Sequence, residues 1–453
     1  MRSHYFSTLI AAVLLSLAGC EDFVEVESPR TELVKPTVFS SDITAEAAIA
    51  DLYFTLRSAS FADGSLFSVS FIGSLLSDEG VHYYPSFVAD LDQINSNDIT
   101  PDNIVVSQMW DNFFRIIYKT NAIVEGLQSS SAITTETRTK FLGEARFIRA
   151  LCYFYMVNLW GDVPLVVTTN YQENKKVQRS SQSIIYEQII SDLLFAEENL
   201  PVEYATAGRV RVNSFGASAL LARVYLYQNE WTKAEQKATF LISNSNQYQL
   251  SENLKLVFRT TSEEAILQLW SNVYPKEISF YRMWTAVPSS ALLRDTFIES
   301  FEAGDQRWSQ WGGTVSGPDQ QYHYVVKYED FSIPPLDHTT ILRLAEQYLI
   351  RAEARAMNGD FPGARADINI IRNRAGLPSI GEDDVESLID VILQERRSEF
   401  FTEWGHRWLD LKRLRKAEEV LRPVKGDWLE KYQLLPIPES QLTQGPMVQN
   451  PGY

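Results

Sequence analysis

Residues 222–234 and 352–364 carry one pattern twice, and it restricts much of the chain to helical hairpins. Ala222, Asn229, Trp231 and Ala234 align without gaps on Ala352, Gly359, Phe361 and Ala364. Small residues let two helices approach closely. Asn or Gly suits the left-handed residue that ends a helix. An aromatic then plugs the turn, and alanine opens the second contact face. One hairpin cannot bury its own face, so others must stack beside it. The sequence supplies them. Trp110, Phe113, Phe114, Ile117 and Ile123 recur at three- and four-residue spacings and predict a helix over 107–127. A second runs from Thr135 to Leu159 and stops at Gly161 and Pro164; a third covers 184–199 and halts at Pro201.

The hairpin resembles the tetratricopeptide helix-turn-helix, although its two copies are not contiguous. Between them, residues 254–340 change character. Ala265 to Trp270 and Tyr322 to Tyr328 alternate like short strands. A helix is expected to resume at Thr340, with others over 364–375 and 385–404 and a loop-rich end. A helix should also begin near Thr44. Residues 58–104 are rich in Ser, Asp and Asn with weak periodicity, and read as surface loops. The fold class is mainly α, with helical hairpins and a loop-rich insertion carrying short strands. Residues 41–253 and 254–453 form the two halves of a single compact fold.

The N-terminus fixes an address. Arg2 precedes an uncharged apolar run, Tyr5 to Ala18, too short to span a bilayer. Leu17, Ala18, Gly19 and Cys20 close it and resemble a bacterial lipobox. Residues 1–19 are then a signal peptide, Cys20 carries lipid, and 20–40 form a tether in which Pro29 and Pro36 bar regular helix.

Composition removes several functions. The formal net charge is −17 and no dense basic run occurs, so a nucleic-acid role has no support. With Cys20 lipidated, Cys152 has no disulfide partner and reads as a buried structural thiol. The five His have no zinc-ligand spacing, and neither a Gly-x-Ser-x-Gly elbow nor a glycine-rich phosphate loop is present. No metal or cofactor is expected, and no enzyme. A glycoside hydrolase stays as the disfavoured alternative, because a carboxylate pair is set by tertiary geometry. Glu395, Arg396, Arg397 and Glu399 read as a structural ion network within reach of Arg407, and Asp305 and Arg307 read the same way.

An ordered set of motifs carries a wider resemblance. Gly143 to Ala150 continues through Tyr153 and Phe154 to Trp160–Leu165. Arg209–Asn213 runs into Ala219–Leu226. Ile341–Glu346, Tyr348–Ala354 and Asn369–Leu377 follow. Glu395–Phe400 leads to Gly405–Arg413, and Leu435–Pro438 and Gln449–Tyr453 close the set. Together they resemble the SusD/RagB family of nutrient-uptake lipoproteins. The resemblance implies a tetratricopeptide-like helical fold and a lipid anchor in the outer membrane, facing outward. It implies a glycan ligand and a SusC-like TonB-dependent barrel as partner. RagB-like members imply a peptide ligand as the alternative.

Sugars present apolar faces ringed by hydroxyls, so a binding surface needs aromatic platforms beside polar groups. Two stretches have this makeup, 78–84 and the insertion. The candidate site is Tyr83, Tyr84, Trp284 and Trp311 as stacking residues, with Asp78 as hydrogen-bond acceptor. Trp308, next to Arg307, is read as core.

Overall fold

The structure is a computed structural model that describes residues 38–83, 89–272, 275, 290–317, 320–330 and 332–453, without the side chains of Ala207 and Gln444. The signal, Cys20 and nearly all of the tether lie outside the described residues. No described helix is long and apolar enough to cross a membrane.

Helix α1, Asp42–Ser58, starts at a Ser41–Thr44 capping box and buries Ala45, Ile49, Leu52 and Leu56 along one stripe. Residues 58–104 are not all surface loops. Helix α2, Val69–Leu76, is buried at all eight positions, and Leu91 and Ile94 of α3, Ala89–Ser96, are buried as well. A helix apolar on every side carries no periodic signal. The serines of α2 hid it further: Ser74 Oγ donates to the Phe71 carbonyl 2.9 Å away, which lets a polar residue sit in the core.

Helices α4, Ile104–Ser129, and α5, Thr135–Trp160, form the first long antiparallel pair. Helix α6, Gln182–Asn199, packs on α5, and α7, Ser214–Tyr227, packs on α6. Then come the two repeated hairpins: α7 with α8, Trp231–Ile242, and, after the insertion described below, α10, Leu344–Asn358, with α11, Phe361–Arg374. Helices α8 and α10 pack against each other, so the repeats stack. Asn229 (φ 58°) and Gly359 (φ 84°) both take the left-handed turn conformation, and Ala222, Ala234, Ala352 and Ala364 are all fully buried.

The insertion holds most of the strands. Gly80–His82 (β1), Ala291–Leu293 (β5), Gln321–Val325 (β7) and Gly312–Ser316 (β6) form an antiparallel sheet in that order, with helix α9, Gln306–Trp311, leading into β6. Val163–Pro164 (β2) pairs with Arg179–Ser180 (β3). Ala265–Leu269 (β4) pairs with Thr339–Arg343 (β8). The helix expected at Thr340 thus begins only after this strand. Helix α12 ends at Phe400 rather than 404 (Val385–Phe400), because Thr402 and Trp404 adopt positive φ. The chain end is less loop-rich than its sequence suggests: α13, His406–Arg413, and α14, Ala417–Lys425, follow.

Helices α2 and α13 meet backbone to backbone. A Cβ on Gly73 would stand 2.4 Å from the Gly405 Cα. Gly73→Ala is therefore expected to lower stability by about 1–3 kcal/mol in urea denaturation. An unchanged midpoint would show that the two helices can separate freely.

Buried ion pairs clamp the layers. Arg149 grips Asp192 (2.7 and 2.8 Å), and Arg223 of α7 grips Glu346 of α10 with two bonds of 2.6 Å. The network around α12 is present, but its partners differ from the neighbours read from the sequence. Glu395 bonds Arg307 (2.9 Å) and Arg372 (2.6 Å), and Glu399 bonds Arg343 (2.6 Å) and Arg374. Arg396 turns to Asp410 (2.7 Å) on the other face of the helix. Arg307 also grips Asp305.

Candidate functional site

The two stretches singled out in the sequence lie side by side. β1 pairs with β5 from Gly80↔Leu293 to His82↔Ala291, and the Tyr83 N–H donates to the Ser290 carbonyl (2.9 Å). Tyr83 then leaves the sheet edge half-buried. Its hydroxyl is 2.8 Å from that of Tyr322, and the two rings meet edge to face at 5.4 Å. Tyr84 and Trp284 lie outside the described residues.

Two proposed contacts are corrected. Asp78 is no acceptor for a ligand, because it is buried and its carboxylate receives Arg407 at 2.8 and 3.0 Å and Arg397 at 2.7 Å. Burial alone would raise its pKa; the two guanidiniums outweigh burial and hold it below the usual carboxylate range. Trp311 is no platform, being 1% exposed. Its indole N–H donates to the Leu254 carbonyl (2.9 Å), and its ring packs on Phe258, with Lys327 Nζ 4.9 Å from the ring centroid. Trp308 is partly buried and lies on Gly312, where a Cβ would fall 2.1 Å from the indole ring. Tyr324 covers Gly313 in the same way, and Tyr322 covers Gly317. The aromatics of this hairpin are thus spent on the hairpin itself.

A different aromatic surface is open. Trp270 is 51% exposed and Phe54 is 56% exposed. Trp270 is the one largely exposed tryptophan among the described residues. The Arg57 guanidinium lies 5.9 Å from each ring centroid. It also donates to Ser271 Oγ (3.1 Å) and Asn272 Oδ1 (3.3 Å). Phe54 and Arg57, three apart on α1, face away from its buried stripe. Trp270 follows the last paired residue of β4, Leu269, where the ladder ends. The result is two apolar ring faces joined by a guanidinium fork, with an amide and a hydroxyl beside them. This arrangement presents the stacking area and polar ring that a sugar requires. One signal for it was readable: a tryptophan directly before Ser271 and Asn272, at the end of a strand pattern. No group of three or more His, Cys, Asp or Glu is placed to hold a metal among the described residues.

Comparison with known proteins agrees with this architecture. Residues 22–226 match a family model described as starch-binding and associating with the outer membrane, and residues 336–453 match the SusD family model. SusD-like protein P38 of Formosa agariphila is 26% identical over 92% of each chain. SusD-like protein P25 of the same organism is 28% identical, but the match spans 59% of this chain and about half (51%) of that one. A laminarin-binding SusD-like protein of known structure superposes with a TM-score of 0.76 at 25% identity, covering 91% of this chain and all (100%) of the other. The stacked hairpins, the ordered motifs and these matches make the chain a member of the SusD/RagB family.

Proposed function

We propose that this protein is a lipid-anchored surface receptor that captures a glycan on an aromatic face and hands it to a SusC-like TonB-dependent barrel. Cys20 would carry the anchor, with the protein facing outward from the outer membrane. The observation that carries the reading is Trp270, exposed on a rigid strand end and flanked by Phe54, Arg57 and Asn272. Tyr83 at the sheet edge would be a second aromatic contact, and Tyr84 and Trp284, outside the described residues, stay proposed as stacking residues. Relatives named as starch-binding and laminarin-binding support a neutral glycan as the ligand class. Helical hairpins and an open aromatic face suit binding without catalysis.

The test is isothermal titration of purified protein against laminarin, starch and other neutral polysaccharides, with a peptide digest beside them. Trp270→Ala is expected to weaken the best glycan by roughly tenfold, about 1.4 kcal/mol. Arg57→Ala should weaken it less. Full affinity in Trp270→Ala would remove this face from the site. Binding of peptides alone would move the ligand class to peptides.

A further inference from the structure

A cleft of about 830 Å³ opens on the opposite kind of chemistry. One wall comes from Asn158 of α5, Tyr186 of α6 and the turn after α7 at Gln228 and Asn229. The other comes from Lys412 and Arg413 of α13 and the segment 429–434. Its volume falls within the ~300–1,000 Å³ range of small-ligand sites.

The charges in it are uneven. Arg413 is fully engaged by Glu353 and Asp410. Lys431 faces Asp98 at 3.3 Å. Among the described residues, Glu430 is the one carboxylate that lines the cleft. Lys412 is different. It is half-buried, sits 5.1 Å from the Trp408 ring centroid, and donates to the Asn158 carbonyl. Among the described residues no carboxylate pairs with it. An ammonium has three donors, so two remain unspent. Burial pushes its pKa down to about 7. Its hydrogen-bonding partner is neutral, and the Asn158 amide is 2.9 Å from the Tyr186 hydroxyl. Burial holds the Tyr186 and Tyr227 phenols above their ordinary range, so they stay uncharged across the accessible pH range.

A half-buried cation without a counter-ion carries a desolvation cost, and an incoming anion would relieve it. We propose that this cleft binds a small organic carboxylate of sugar size, with the carboxylate on Lys412 and hydroxyls or amides on Asn158, Tyr186 and Gln228. The site is separate from the aromatic face. It does not depend on the glycan reading above.

The experiment is titration of the purified protein with glucuronate, a free dipeptide, and glucose as the neutral control. Glucuronate or the dipeptide should bind and glucose should not. The tighter of the two names the source of the carboxylate. Affinity should hold level below pH 6. It should fall roughly tenfold per unit above pH 7, as Lys412 loses its proton. Lys412→Met should abolish binding. Lys412→Arg should retain it while removing the pH dependence, which separates charge pairing from a folding defect. Equal binding of glucose, or binding unchanged in Lys412→Met, would overturn the proposal.

Discussion

Arg343→Met is expected to lower the unfolding free energy by about 3–5 kcal/mol, because it removes the one guanidinium shared by three buried carboxylates and leaves them under-neutralised by Arg374, Arg307 and Lys327. Arg343 ends β8 where helix α10 begins. It donates to Glu264 (2.9 Å), to Glu399 (2.6 Å) and to both oxygens of Glu403 (2.9 and 3.0 Å), and a further bond of 2.9 Å reaches the Glu399 carbonyl. Glu264 and Glu399 are fully buried and Glu403 nearly so. Burial alone would raise the Glu399 pKa; the Arg374, Arg343 and Arg307 guanidiniums instead drive it far below the usual range. A depressed folded pKa means stability that is present above pH 4.5, the unfolded value, and lost as acid protonates the native carboxylate. Urea unfolding should show the loss at pH 7. It should also show a shallower acid-side slope in the variant. Arg343→Met combined with Glu399→Gln should recover part of the loss, since the second change removes one of the under-neutralised charges. A loss below about 1 kcal/mol at pH 7 would mean that water or Arg374 compensates.

The repeat was legible because everything that makes it is local. Asn229 and Gly359 needed only a left-handed residue, and the flanking alanines needed only a close helix neighbour. The limits of α5 and α6 were legible for the same reason. The ion network was readable as a network but not as pairs. Arg372 and Glu395 are 23 residues apart and Arg343 and Glu399 are 56 apart, so helix spacing on α12 could not choose the partners. Helix α2 was illegible because burial on all sides erases the amphipathic period. The candidate site divides along the same line. The neighbourhood of 78–83 and the insertion could be proposed from composition, but the burial of a given tryptophan could not. Trp311 became core because Leu254, Phe258 and Phe401 from other segments close over it, while Trp270 stayed open because its ladder ends one residue earlier. Asp78 was lost to Arg407, which lies 329 residues away.

Glu79→Gln is expected to stabilise the protein at high pH and to leave it nearly unchanged near pH 4. Glu79 is 2% exposed and adjoins Asp78. Oε2 accepts the Thr402 N–H (3.2 Å), and Oε1 has no hydrogen-bond partner among the described residues. Burial, with the Asp78 charge adding to it, pushes its pKa up to about 8; the Thr402 N–H, Arg407 and Lys327 oppose without prevailing. The native state therefore holds its proton while the unfolded chain, with a pKa near 4.5, has released it. Stability from this group falls as pH rises from 4.5 to 8 and is level outside that window. The full cost is on the order of 5 kcal/mol. Glutamine keeps an acceptor for Thr402 and cannot ionise, so unfolding curves at pH 4, 7 and 9 should diverge from wild type progressively. A constant offset at all three would show that Glu79 ionises normally. The effect bears on binding as well. Glu79 sits four residues before Tyr83, and its carbonyl accepts the Arg294 N–H (2.9 Å) beside β5. Ionisation above pH 8 would put a bare charge beneath the strand that presents the sheet-edge tyrosine. A ligand contact made through Tyr83 should then weaken in the wild type across that range and persist in Glu79→Gln.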